Sequence, residues 1–300
     1  SAAGFHVLGA CEHAPLVFLE VTPAELARLD LRPEVELLDL TGTDHGERLD
    51  VARGEVHANL LDSNGLGRGA GAKVAVVEPG QPCVNPFLQL SGVRLANNAF
   101  QSNTAYSSHT TGVAACIRST HSTHSGVARD CNLYAANGAT DFGGSFPNST
   151  AAIGWAMNKG THVLNLSYGA PTPTSSLTLF DRYLDHVVRD YALTVAVAAG
   201  NSGAFAGDPG AGFNVIAVGN FNDNGGTAWS FETMAATSSF QNPVTGVETL
   251  QVASPGTNVT MLGCVPAWTP PWLANYNANT MSGTSFASPI VAGEAAVLIG

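Results

Sequence analysis

The chain has 300 residues, 45% of them apolar and 12% charged, with 23 acidic against 12 basic side chains and a formal net charge of −11. That length suits one large domain with room for a smaller one, and the apolar content excludes a disordered chain. The acidic balance argues against a nucleic-acid partner, since phosphate binding draws on Lys/Arg patches. No apolar run reaches the roughly 20 residues of a spanning helix, so no membrane is expected. Residues 1–13 lack the basic and apolar regions of a leader peptide.

The elements follow in chain order. Residues 16–21, Leu-Val-Phe-Leu-Glu-Val, form an apolar run that predicts a strand. Thr22 then caps a short helix over 23–29, with Pro23 in its first turn and Glu25 three residues past the cap. Residues 35–40 predict a second strand, and the polar stretch 41–46 reads as a linker. From Lys73 the pattern becomes strand–helix–strand. Buried strands are predicted at 73–77, 161–166, 193–198 and 214–218, with helices at 149–158 and 176–191 between them. Alternation of this kind predicts an α/β fold, a mostly parallel sheet with helices on both faces. A small α+β segment precedes it, which divides the chain into 1–50 and 51–300.

Cys11, Cys83, Cys116, Cys131 and Cys264 are an odd set with no Cys-x-x-Cys pair. Buried thiols are the favoured reading, and one or two disulfides the other. No tight Cys/His spacing suggests zinc, so neither a metal nor a cofactor is expected.

The strongest chemical signal is Gly-Thr-Ser-Phe-Ala-Ser-Pro at 283–289, followed by an apolar helix of small residues. A serine at a helix start has an unpaired backbone N–H beside it and a dipole that favours an anion. Both suit acyl transfer, in which an oxyanion must be held. Gly-Thr-Ser alone would also serve as an ordinary helix cap.

The full string resembles the nucleophile motif of subtilisin-like serine proteases, and the resemblance extends over residues 57–300. It implies a serine endopeptidase whose acid, histidine, oxyanion asparagine and serine occur in that order. Ser285 is then the nucleophile. His109, in Ser-Ser-His-Thr-Thr-Gly-Val-Ala-Ala, resembles the start of the family's histidine helix, with Thr110 and Gly112 where the usual glycine and second histidine stand. Asn201, in Ala-Ala-Gly-Asn, matches the oxyanion position. The acid departs from the pattern: the first buried strand ends in Glu78 and Pro79 instead of an aspartate followed by a hydroxyl residue. Glu carries the same charge on one more methylene and can still orient a histidine. Asp141 is the competing carboxylate.

The same resemblance implies that Ser167, Tyr168 and Gly169 form one wall of the substrate cleft and Ala198, Ala199 and Gly200 the other. Gly143 and Gly144 would form a second edge for an extended peptide. Small wall residues leave room for an apolar side chain before the scissile bond, and Tyr168 would alter the pocket rim. The loop at 119–125 lacks carboxylates, so calcium is not expected there. Residues 15–40 resemble part of an inhibitory propeptide. The family's domain continues beyond its serine helix, which implies that its C-terminal part is either missing or on a separate cleaved piece. Peptide or protein substrates are the implied partners, and secretion the implied destination. Two other readings are a protease-like module that binds peptides without cutting them, and the acid-active Ser-Glu-Asp family. His109 and Asn201 weigh against the latter.

Overall fold

The computed structural model of the chain describes residues 6–10, 17–20, 22, 49–64, 67–95, 105–139, 146–170, 175–224, 232–264 and 278–300. They fall in two compact units, Ser1–Gly42 and Thr43–Gly300. In the first unit, β1 (His6–Ala10) pairs antiparallel with β2 (Val17–Glu20). The second strand was expected and the first was not. The helix at 23–29 and the strand at 35–40 lie outside the described residues, as do Asp141, Gly143 and Gly144.

The larger unit opens with two short helices, α1 (Leu49–Glu55) and α2 (Ala58–Ser63). It then alternates strand and helix. In order come β3 (Lys73–Pro79), β4 (Leu90–Arg94), α3 (Ser108–Arg118), β5 (Asn132–Ala139), α4 (Phe146–Asn158) and β6 (Val163–Leu166). There follow α5 (Leu179–Tyr191), β7 (Thr194–Ala198), β8 (Ile216–Asn222), β9 (Thr233–Met234) and β10 (Val252–Pro255). A hairpin, β11 (Val259–Leu262) with β12 (Ala278–Met281), leads into α6 (Thr284–Ile299). The main sheet has eight strands in the order β10-β8-β7-β6-β3-β5-β4, with β9 added to β8. Every pair along that path is parallel. The α/β expectation holds. Three strand starts, at Val163, Thr194 and Ile216, fall a residue or two later than predicted, the first because polar Thr161 and His162 precede the apolar run.

The two faces of β3 place the chemistry. Side chains alternate along a strand. Val74 and Val76 pack with α3 and α6, whereas Ala75 and Val77 pack with α4 and α5. Glu78 therefore continues the Val74–Val76 row, on the face that carries His109 and Ser285. Both faces are dry, and β3 is buried from Val74 to Glu78, which explains its unbroken apolar sequence.

Cys83 and Cys264 form a disulfide across 181 residues, tying the segment after β3 to the one after β11. Cys116 and Cys131 are buried thiols, and burial pushes both thiols up, Cys131 to about 12. The expectation of buried thiols thus holds for these two and gives way to a disulfide for Cys83. Sequence spacing carried no sign of that pairing, because only the folded chain brings the two Cα atoms to 5.4 Å.

A buried polar chain crosses from α6 to the sheet. Ser288 Oγ donates to Asn165 Oδ1 at 2.7 Å, and Asn165 Nδ2 donates to Ser167 Oγ at 2.9 Å. Asn165→Ala would strand two buried hydroxyls, at a cost on the order of 3 kcal/mol. The expected result is a clear drop in the urea midpoint; an unchanged midpoint would mean that the chain contributes nothing to stability.

Candidate active site

Helix α3 begins where its sequence asks it to. Ser107 is the N-cap and its hydroxyl accepts from Thr110 N. His109 then stands in the first turn. Several bonds hold this turn against the end of β3. Thr110 Oγ1 donates to the Pro79 carbonyl at 2.5 Å. Ser107 N donates to the Gln81 carbonyl at 2.9 Å. Thr111 Oγ1 donates to the Ser107 carbonyl at 2.7 Å and accepts from Cys83 N at 2.9 Å.

Glu78 is completely buried. Its Oε1 accepts from Ser167 N at 2.7 Å, and its Oε2 approaches His109 Nδ1 to 3.2 Å. The second approach is close but off-axis, so it has the distance of an ion pair without the alignment of a strong hydrogen bond. Burial opposes the imidazolium, yet the Glu78 carboxylate outweighs it through hydrogen bonding and charge, and the His109 pKa is raised. The register between β3 and β5 shifts between Glu78 and Pro79.

Pro79 has neither the hydroxyl nor the N–H that a Ser or Thr would offer the acid, and Ser167 N supplies a donor from β6's exit instead. At Gly112, where the resemblance implied a second histidine, a Cβ would run into Met261 Sδ at 2.6 Å and Phe286 Cε1 at 3.1 Å. Close packing of α3 on α6 and β11 thus takes the place of a side chain.

Ser285 lies in the first turn of α6, and its N–H has no partner among the described residues. Its hydroxyl donates to the Ser167 carbonyl at 3.0 Å. The hydroxyl is thereby turned to the cleft wall. The His109 ring packs against Phe286, the next residue, with centroids 5.4 Å apart. Gly283 caps the helix at φ 138°, a left-handed value that favours glycine, and a Cβ there would press on Asn201.

The orientation of Asn201 follows from its bonds. Its Oδ1 accepts from Thr284 N at 3.0 Å and from Thr284 Oγ1 at 3.2 Å. That leaves the amide NH₂ as the group free for the cleft. Thr284 Oγ1 in turn accepts from Gly200 N at 3.2 Å, joining the end of β7 to the start of α6.

These residues surround one cavity of about 660 Å³. Both expected walls line it, Ser167, Tyr168 and Gly169 on one side and Ala198, Ala199 and Gly200 on the other. Tyr168 does touch the cavity, but its hydroxyl donates to Ser149 Oγ at 2.9 Å and its ring stacks on Phe180. Its side chain is thus anchored to α4 and α5. Gly169 is needed because a Cβ there would run into the Asp208 carbonyl.

The cavity also includes Phe205, Gly207, Asp208 and Ser239, which the sequence reading did not single out. Asp208-Pro-Gly reads locally as a turn, so nothing near it signalled a cleft position. A second cavity of about 700 Å³, bordered by Met234, Phe240 and Leu250, contains none of the predicted residues. Among the described residues no group of three or more His, Cys, Asp or Glu is placed to hold a metal ion. No helix among them is long and apolar enough to cross a membrane.

The chain is similar to known proteins. The subtilase family model matches residues 69–300. The alkaline protease of Alkalihalobacillus alcalophilus is 29% identical over 298 residues, spanning 96% of this chain and 70% of that protein. Subtilisin E of Bacillus subtilis is 28% identical over 267 residues, 85% of this chain and 62% of its own length. Among solved structures, the prenylagaramide maturation protease PagA superposes with a TM-score of 0.62 at 25% identity, covering 80% of this chain and 79% of that one. The self-cleaved protease domain of PatA gives 0.58 at 26% identity, covering 76% and 79%. The chain belongs to the subtilase family and is a serine-type endopeptidase.

Proposed function

We propose that the protein hydrolyses peptide bonds through an acyl-enzyme on Ser285, with a Glu78–His109–Ser285 triad. The observation that carries this reading is the buried Glu78 carboxylate, held by Ser167 N and set against His109 Nδ1. That contact makes Nδ1 the protonated nitrogen and leaves Nε2 to act as base.

In the resting state Ser285 Oγ donates to the Ser167 carbonyl. Rotation about its Cα–Cβ bond turns it to His109, as contacts of this kind tighten when substrate binds. Oγ then attacks the substrate carbonyl while its proton passes to Nε2. The carbonyl oxygen becomes an oxyanion, received by the Ser285 N–H and the Asn201 amide. The imidazolium returns the proton to the leaving amine, and water repeats the sequence to release the acid. Glu78 stabilises the imidazolium at each stage. Ser167, Tyr168 and Gly169 offer one backbone edge to an extended peptide and Ala198, Ala199 and Gly200 the facing wall, with Gly143 and Gly144 as the further edge.

The N-terminal segment, residues 1–50, is proposed as propeptide and linker. The β1–β2 pair supports it, as does the self-cleaved state of the PatA domain. A Cys83–Cys264 disulfide fits an oxidising compartment and hence a secreted enzyme.

A fluorophosphonate probe should label the wild type at Ser285 and leave Ser285→Ala unlabelled. Wild type without label would sink the activated serine. Asn201→Ala should lower kcat by roughly 10²–10³-fold with a smaller effect on KM. Glu78→Ala should cut turnover far more than Glu78→Asp; a Glu78→Ala enzyme as active as wild type would remove the acid from the triad. In the Glu78→Gln protein only burial acts on His109, so its pKa, read by NMR titration, should fall below the ordinary value of about 6.5. Intact-mass measurement should show loss of the N-terminal segment in wild type and its retention in Ser285→Ala. Retention in both would count against a self-removed propeptide.

A further inference from the structure

One residue lining the cavity beside Ser285 carries a carboxylate that the proton relay does not use. Asp208 lines it together with His109, Asn201 and Ser285. The backbone fixes its place between the two walls: its carbonyl accepts from Ala170 N at 2.8 Å, and the neighbouring Gly207 N donates to the Ala199 carbonyl at 3.2 Å. Among the described residues no lysine or arginine lines the cavity, and Asp208 has no cationic partner.

Its hydrogen bonding is incomplete. Asp208 Oδ1 lies 2.9 Å from Thr178 Oγ1, but the same hydroxyl lies 2.9 Å from Asp181 Oδ2. One hydroxyl has one hydrogen and serves one carboxylate at a time. Asp181 is completely buried and also accepts from Thr178 N at 2.8 Å as part of the capping box of α5, so its claim on Thr178 is built into the helix. Asp208 Oδ2 has no bond to the protein and remains open to solvent. Burial pushes the Asp208 carboxyl up to about 6, the Thr178 bond opposes this, and the charge of Asp181 adds to it.

A half-buried carboxylate that is short of donors, on a residue lining a substrate cavity, is complementary to a cation. We propose that Asp208 is a specificity-determining residue that receives the Lys or Arg side chain of the substrate residue preceding the scissile bond. Ala198 and Ala199 line the path of its aliphatic stem, which suits the way these side chains bury methylenes and keep the head on a polar partner. An Arg fork engages both Oδ1 and Oδ2. This replaces the apolar preference that small walls alone suggested. The inference rests on Ser285 being the nucleophile of this cavity.

The test uses peptides that differ only in that residue, Arg, Lys or Leu, with kcat/KM measured for the full chain. Wild type should favour Arg and Lys over Leu, and Asp208→Asn, which keeps shape and removes charge, should reduce the Arg-to-Leu ratio by on the order of 10–100-fold. A wild type that prefers Leu, or an Asn variant that keeps the ratio, overturns the proposal. Asp208→Glu should retain part of the ratio.

The ratio in wild type should also rise with pH through about 6, as Asp208 ionises. Asp181 faces Asp208 across Thr178, and His109 lines the same cavity with Glu78 buried beside it, but the latter two act on every substrate alike and cancel in the ratio. A ratio flat across that range counts against the Asp208 charge.

A binding measurement covers the case of a poorly folding variant. By calorimetry, Ser285→Ala should bind a peptide ending in Arg more tightly than one ending in Leu, and equal or weaker binding overturns the proposal. Cleavage that survives in Ser285→Ala overturns the reading of the site itself. Loss of cleavage there, with no Arg advantage in wild type, overturns only the role of Asp208.

Discussion

A carboxylate with no solvent exposure must find its compensation inside the protein, and in this chain the burial of Glu78 sets the terms for everything around it. The group sits at the end of a strand buried on both faces, where water cannot serve it. One oxygen takes the Ser167 N–H at 2.7 Å and the other faces the His109 ring at 3.2 Å. Removing either partner would leave charge stranded in a low-dielectric interior. The same pressure acts in reverse on His109, whose burial would otherwise favour the neutral ring. Their mutual dependence raises the His109 pKa and orients the imidazole. The contact that relieves the buried charge is the same one the proposed acyl transfer would use.

Ser167 is the hub through which the other elements share this constraint. Its N–H holds Glu78, its carbonyl accepts from Ser285, and its hydroxyl accepts from Asn165, which in turn accepts from Ser288. β3, β6 and α6 therefore meet at one residue just past a strand end. The parallel sheet makes this possible, because β3, β6 and β7 finish side by side and present their exits to the same edge. The exit of β7 brings Asn201 into contact with Thr284, and that contact aims the amide.

Departures from the family pattern carry their own local compensation. Glu78 stands where the family resemblance implied an aspartate, and the register of β3 on β5 shifts just after it. Pro79 withholds a donor, and Ser167 supplies one. Gly112 withholds a histidine, and Met261 with Phe286 fills the space. Thr110, where glycine is usual, uses its hydroxyl to pin the histidine helix to the Pro79 carbonyl. These substitutions form a coherent set around one face of β3.

Much of this was legible along the chain. Buried strands announce themselves by unbroken apolar runs, and Ser285, His109 and Asn201 stand in motifs whose spacing along a strand end or helix start is a local property. Period-two alternation even assigns Glu78 to the face of Val74 and Val76. The Cys83–Cys264 bond, the turn of Ser285 toward Ser167, the anchoring of Tyr168 and the place of Asp208 in the cleft were not legible. Each depends on which segments far apart in sequence come within a few ångströms. Sequence by itself determined the elements and the family, because these reside in periodicity and short motifs. Only the tertiary structure decided how the candidate groups are held and what else shares their cavity, because hydrogen bonding, burial and charge compensation arise between segments that the chain order keeps apart.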